Sequence, residues 1–184
     1  MRVWGQRYNR DLQRYNLALR MIAHEARTRT ICEWTGLPDD RIRHLYQSYV
    51  HDANRLVARR RGPAPQSLTY FFESARSRSE AAALTGLCYM LQVLPPKATG
   101  NPRRELPSLW RGEKLCDAYE MYLTLVPETP MTLEHVVLRV MTVSKGEEFE
   151  VTHCATCGGV IVLDRGSVRR GSCAHCGERD SIPV

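Results

Sequence analysis

Hydrophobic positions along most of this chain recur at intervals of three and four, the period of helices that bury one face. Near the start, Tyr8, Leu12, Tyr15, Leu19, Ile22 and Ala26 alternate spacings of four and three, which predicts an amphipathic helix. Arg10, Arg14, Arg20 and Arg27 lie largely off that stripe. So narrow a seam packs either into the chain's own core or against a helix of another subunit. Leu12, Tyr15, Leu19 and Ile22 are therefore the candidate partner contacts.

Residues 28 to about 50 fit a helix, a tight turn and a second helix. Cys32 is small enough for the two helices to touch, Gly36 suits a turn that needs positive φ, and Leu37 can plug the core. Asp39 or Asp40 can cap the second helix, which Ile42, Leu45 and Tyr46 would hold down. Arg41, Arg43, His44 and Gln47 then point largely outward. Arg can pair bidentately with guanine and Gln with adenine, so this face has the chemistry to read a major groove. A plain helical hairpin fits the same pattern.

Further on, Arg59-Arg60-Arg61 enters the extended segment Gly62-Pro63-Ala64-Pro65 and reads either as phosphate-contacting or as a soluble linker. From Leu68 through Phe71, Phe72, Ala75, Ala82, Leu84, Leu87, Cys88 and Leu91 the pattern predicts a long helix, weakened by Gly86. Prolines at 95, 96, 102 and 107 make residues 95–112 a long loop. Leu115, Ala118, Tyr119, Tyr122, Leu123 and Val126 predict another helix. Thr132 reads as the N-cap of the last one, over Leu133, Val136, Val137 and Val140.

The pattern then changes. Val160–Leu163 is a continuous apolar run, Asp164-Arg165-Gly166 a turn, and Ser167–Arg170 a second extended segment, which predicts a β-hairpin. The expected fold is mainly α: a helical domain over 1–148 with a helix-turn-helix-like unit, then a small zinc-ribbon-like module over 149–184.

That hairpin lies between two cysteine pairs, Cys154-x-x-Cys157 and Cys173-x-x-Cys176. Each CxxC turn aims two sulfurs at one point, and two facing turns complete the tetrahedron of thiolates that zinc prefers. A redox pair or a disulfide scaffold would use the same residues. With four Cys ligands no place remains for water or substrate, so one structural Zn2+ per chain is expected. A module of about 30 residues buries too little apolar surface to fold unaided, so the metal would supply its folding free energy. His153 and His175 flank the cysteines as alternative ligands.

Seven cysteines in all, an odd number, argue against a disulfide scaffold. Cys32, Cys88 and Cys116 stand alone on apolar faces as core residues. The thiols point to a reducing compartment, the cytoplasm. No run of eighteen apolar residues and no apolar segment after the first charged residues predict neither a membrane span nor a secretory signal. The net charge is +6, and it is uneven: residues 1–65 carry thirteen Arg against six acids, whereas 66–184 are close to neutral. A localised cationic face suits a polyanion. With 23 Arg to 3 Lys, an Arg-rich composition accounts for part of that excess. No GxSxG, Walker loop, GxGxxG or acid–base couple is present, so nothing calls for an enzyme.

Six features in order resemble the FlhC family of flagellar transcriptional activator subunits. They are the Leu12–Ala26 helix; Leu45-Tyr46; Arg61-Gly62-Pro63-Ala64-Pro65 before an aromatic segment; Thr85-Gly86-Leu87-Cys88; Ala118-Tyr119-x-x-Tyr122-Leu123; and Cys154-x-x-Cys157-Gly158-Gly159 with Cys173-x-x-Cys176. The resemblance spans nearly the whole chain, and only the cysteine quartet is distinctive alone. It departs from the family pattern in the proline-rich stretch 95–112, which is longer. The resemblance implies a helical protein with a carboxy-terminal zinc site at the four cysteines, paired with a small FlhD-like helical subunit. Such a hetero-oligomer binds double-stranded promoter DNA and helps recruit RNA polymerase. On that reading Arg41, Arg43, His44 and Gln47 would contact bases. Arg59, Arg60, Arg61, Arg165, Arg169 and Arg170 would neutralise phosphates. A zinc-ribbon module that joins proteins without touching DNA is the alternative.

Overall fold

Among the described residues six α-helices and two strands follow in chain order: α1 (Arg2–Ala23), α2 (Thr28–Thr35), α3 (Asp39–Asp52), α4 (Ala75–Met90), α5 (Leu109–Leu125), α6 (Leu133–Lys145), β1 (Phe149–His153) and β2 (Val160–Asp164). This computed structural model describes residues 2–52, 60, 62–94, 106–145, 149–164 and 173–177. The chain is mainly helical, with a cysteine cluster behind the last helix.

In α1 the buried residues are Leu17, Ala18, Met21 and Ile22. The stripe read from the sequence is thus only partly the one the core uses. Ile22 is wholly enclosed in this chain's own core, so it is not available to a partner. Tyr15 packs half-buried against the core, Leu19 is half-buried, and Leu12 and Tyr8 remain 47% and 71% exposed. The reason is that α1 carries two adjacent apolar faces, and close approach to α5 selects one. A Cβ at Gly112 of α5 would lie 2.6 Å from Leu17 and 3.3 Å from Trp34 of α2. The absent side chain is what lets these helices meet.

Charge fastens the same contact. Arg20 donates to Glu113 Oε2 at 3.0 Å, Asp117 Oδ1 at 2.6 Å and both Glu120 oxygens at 2.8 and 2.6 Å, and His24 Nε2 lies 2.8 Å from Glu120. The Arg20 hydrogen bond holds the Glu120 carboxyl down at about 2. Burial works against Asp117, yet its bonds to Arg20 and Lys114 keep it below the ordinary range. A carboxyl lowered on folding stabilises the fold above its unfolded value and loses that contribution as pH falls through its folded value. Stability should therefore decline as pH drops from 4.5 toward about 2. In Arg20→Gln, denaturant midpoints over that range should depend less steeply on pH; an unchanged slope would remove the clamp from the account.

Helix α2 ends at Gly36, which takes φ 70° and donates its N–H to the Cys32 carbonyl. Leu37 then enters the core, and Pro38 offers its carbonyl to the Arg41 and Ile42 amides. Asp39 and Asp40 sit in the first turn of α3, where negative charge favours the helix end. Ile42 and Tyr46 are buried, Leu45 packs on the core, and the Tyr46 hydroxyl donates to the Ala26 carbonyl. The amino end of α2 has no side-chain cap of its own. Glu134, 3% exposed on α6, supplies one from far along the chain: it accepts from the Arg27 N–H at 2.6 Å and the Thr30 hydroxyl at 3.0 Å.

The long helix expected from Leu68 begins later. A 3-10 turn spans Thr69–Phe71, and α4 starts after Ser74, which forms a reciprocal capping box with Ser77. Phe71 and Phe72 extend the apolar pattern without extending the helix, because the Ser pair fixes its start. In the same way α5 begins at Leu109, inside the predicted 95–112 loop, with Ser108 accepting from the Arg111 N–H. Thr132 precedes α6 as expected, and its N–H donates to His135 Nδ1 at 3.2 Å. Buried Arg139 of α6 donates to the Thr85 hydroxyl at 2.7 Å and lies 4.8 Å from the Phe71 ring centroid; burial lowers its pKa to about 10. Cys88 and Cys116 are enclosed, and burial pushes both thiols up to about 12. Among the described residues no helix is long and apolar enough to cross a membrane.

Candidate metal centre

The strands form one antiparallel pair with register Phe149↔Asp164, Val151↔Val162 and His153↔Val160. The sequence reading pairs β2 with Ser167–Arg170 and expects no strand at 149–153. Among the described residues the partner of β2 is Phe149–His153, on the other side of Cys154–Gly159, so the first cysteine turn is the loop of this hairpin. Residues 167–170 lie outside the described residues. Alternation in Phe149-Glu-Val-Thr-His is the available signal, but the glutamates before it read as a connector. Val151, Cys154, Ile161 and Cys173 are buried, and Ile161 with the two cysteines makes a small core apart from the helical one.

The two cysteine turns share one backbone design. Gly158 N–H donates to the Cys154 carbonyl, and Gly177 N–H to the Cys173 carbonyl, each at 2.9 Å. Both glycines adopt positive φ, 69° and 76°, a conformation that costs a side-chain-bearing residue energy. The Cys154 N–H closes the first loop on the Gly159 carbonyl at 2.8 Å. β2 lies against α4 beside Gly86, where a Cβ would stand 3.8 Å from Val160 Cγ2, an ordinary van der Waals distance.

These turns bring the four Sγ atoms within 4.8 Å of one another. Cys154 and Cys176 are 3.6 Å apart, Cys157 and Cys173 3.5 Å. Both separations far exceed a disulfide bond, and all four cysteines are free. Zinc–thiolate bonds of about 2.3 Å set the edges of a tetrahedron at about 3.8 Å. The quartet is therefore close enough to bind one metal ion. Four thiolates this close repel each other unless a cation sits among them. Backbone amides already face the sulfurs: the Cys176 and His175 amides lower the Cys173 thiol. The Gly159 amide pulls Cys157 down, but burial and the neighbouring thiols outweigh it and leave that thiol raised. Cys154 and Cys173 are buried while Cys157 and Cys176 are exposed. Among the described residues no other group of three or more Cys, His, Asp or Glu converges in this way, and neither His153 nor His175 joins the cluster.

Gly159 is packed into the cradle. A Cβ there would meet Cys157 Sγ at 3.3 Å and Cys173 Sγ at 3.8 Å. Gly159→Val should therefore weaken metal retention. In competition with a chromophoric chelator, the variant should release its metal at lower chelator concentration than the parent; equal retention would show that the sulfurs tolerate the added bulk.

The other predicted residues are spread over the surface. Arg41, Arg43, His44 and Gln47 all project from the exposed side of α3. Arg43 is tied to Asp39 at 2.5 Å, whereas Arg41, His44 and Gln47 have no side-chain partner among the described residues. Arg60 is committed to Glu25 at 2.8 Å. Arg59, Arg61, Arg165, Arg169 and Arg170 lie outside the described residues. No protein-family model matches this chain, and no curated protein does.

Proposed function

We propose that this chain is a zinc-folded, DNA-binding transcriptional activator subunit of the FlhC-like kind, working with a small helical partner. The observation that carries the reading is the outer face of α3. There Arg41, His44 and Gln47 have no side-chain partner among the described residues, while Ile42, Leu45 and Tyr46 anchor the helix. Side chains held this way on a short helix after a tight turn have the chemistry and spacing to meet base edges. Zinc at Cys154, Cys157, Cys173 and Cys176 has a structural role, since four protein thiolates leave it no open position. Arg59, Arg61, Arg165, Arg169 and Arg170 add phosphate contacts, which set affinity and its salt dependence. Exposed Tyr8 and Leu12 on α1 are the partner-facing residues, and the assembled complex helps recruit RNA polymerase to flagellar promoters.

The test is fluorescence anisotropy of duplex DNA with the purified chain, alone and with its co-purified partner, over a series of salt concentrations. Gln47→Ala or Arg41→Ala should weaken the preferred sequence by about 1–3 kcal/mol each and relax its base preference. Arg169→Ala with Arg170→Ala should weaken all sequences alike and reduce the salt slope by about 0.9 for each phosphate left without its guanidinium. Binding at physiological salt that ignores all four substitutions contradicts the assignment. Exposed Trp110, Met121 and Leu125 on α5 favour a second reading, a metal-folded module that joins proteins only. Under that reading no duplex is retained, with or without the partner.

A further inference from the structure

Helix α5 is held on two flanks. On one, Gly112 meets Leu17 of α1, and Arg20 of α1 bonds Glu113, Asp117 and Glu120. On the other, Arg111 donates to the Gln92 and Val93 carbonyls just after α4, and the Tyr122 hydroxyl donates to Glu80 within it. Between these flanks runs an outward seam of Trp110, Lys114, Asp117, Met121 and Leu125, spaced four, three, four and four residues apart. That spacing keeps the five on one face of a helix, as in a coiled-coil seam. Trp110, Met121 and Leu125 are 53%, 46% and 66% exposed, so three large apolar side chains line one face of a 17-residue helix. An apolar row of this kind marks a contact surface more often than free solvent.

Charge along the seam says what covers it. The order from Trp110 to Met121 is apolar, basic, acidic, apolar, with the two charged positions equally far from the two ends. Turned end for end, the row is its own complement. In an antiparallel pair of α5 helices with a two-fold axis between residues 115 and 116, Trp110 of each copy meets Met121 of the other, and Lys114 of each meets Asp117 of the other. Within one copy Lys114 reaches Asp117 at 3.1 Å. Its ammonium has three donors, so it can keep that bond and add one across the axis, and the four charges alternate in sign. A parallel pair would instead set Lys114 on Lys114 and Asp117 on Asp117. Shifting the antiparallel pair until Trp110 meets Leu125 would press Lys114 onto Met121, which desolvates a charge without pairing it. Glu113 and Glu120 are drawn toward α1 by Arg20, off the seam.

We propose that the outer face of α5 is a self-association surface on which a second copy of this chain docks antiparallel, Trp110 against Met121 and Lys114 against Asp117. The seam is short, so the interface lies at the small end of specific contacts and the dimer should form in a concentration-dependent way. The inference does not rest on the base contacts proposed for α3.

Sedimentation equilibrium of the full-length, metal-loaded chain over a concentration series measures the association. Met121→Glu and Lys114→Glu, each tested alone, should weaken dimerisation by about tenfold or more with helix content unchanged. Register is read by placing a photo-crosslinking benzophenone amino acid at position 110 in an equal mixture of isotope-labelled and unlabelled chains. Mass spectrometry should find mixed cross-links that join position 110 of one copy to Met121 or its neighbours on α5 of the other. A monomer at every concentration overturns the proposal, as does a dimer that ignores both substitutions or cross-links away from that part of α5. If no dimer of this chain forms and the two substitutions instead break the complex with a co-purified subunit, the face belongs to that subunit and the proposal also falls.

Discussion

Replacing Cys154 by Ser should strip the chain of its metal and unravel the β1–β2 hairpin while leaving the helices in place. Cys154 is 2% exposed and anchors the small core with Ile161 and Cys173, so its sulfur serves both as ligand and as packing. In peptides of this size, metal binding contributes on the order of 10–16 kcal/mol of folding free energy, far more than a three-residue apolar cluster supplies. Losing one of four thiolates leaves an incomplete coordination shell. Hydrogen exchange should then show amides of 149–163 losing protection while α1, α5 and α6 keep theirs, because the helical core is a separate cluster. Chelation of the parent chain should give the same pattern. If the hairpin amides stayed protected after chelation, packing and not metal would be holding it.

The second large effect is expected at Glu134. Its carboxylate, 2% exposed at the side chain, accepts from the Arg27 N–H and Thr30 hydroxyl at the start of α2, and its Oε2 lies 3.9 Å from the Arg27 guanidinium. Glu134→Ala would leave buried donors without an acceptor and the helix end without its negative charge. Each unsatisfied group costs about 1–3 kcal/mol, so a total of about 3 kcal/mol is expected. For a chain of this length that corresponds to a Tm lower by about 6–12 °C. Glu134→Gln keeps an acceptor and should lose roughly half as much. A thermal melt of Glu134→Ala within about 1 °C of the parent would show that α2 is held by packing alone. The consequence reaches α3, because α2 and the Gly36 turn carry it.

The residues whose role could be read in the sequence act locally. The apolar spacing locates α5 and α6, and the pattern of Cys32, Gly36 and Leu37 locates α2 and the turn after it. Gly36 declares its turn because positive φ is a property of one residue, and the CxxC pairs declare the cluster because each turn is four residues long. What escaped depends on distant neighbours. Nothing near Glu134 or Arg20 in the chain tells that one caps a helix 107 residues back or that the other clamps three acids on α5. Which apolar face of α1 is buried was decided by Gly112, a position that carries no side chain to read. The strand at Phe149–His153 also depends on a partner across the first cysteine turn, Val160–Asp164, while the glutamates before it read as a connector.

X-ray absorption at the zinc edge of the protein purified under reducing conditions probes the centre of this account. The expected spectrum is one zinc per chain with four sulfur neighbours at about 2.3 Å and no nitrogen or oxygen in that shell. A chain carrying no zinc, or zinc with light-atom ligands in place of any of the four sulfurs, would contradict it.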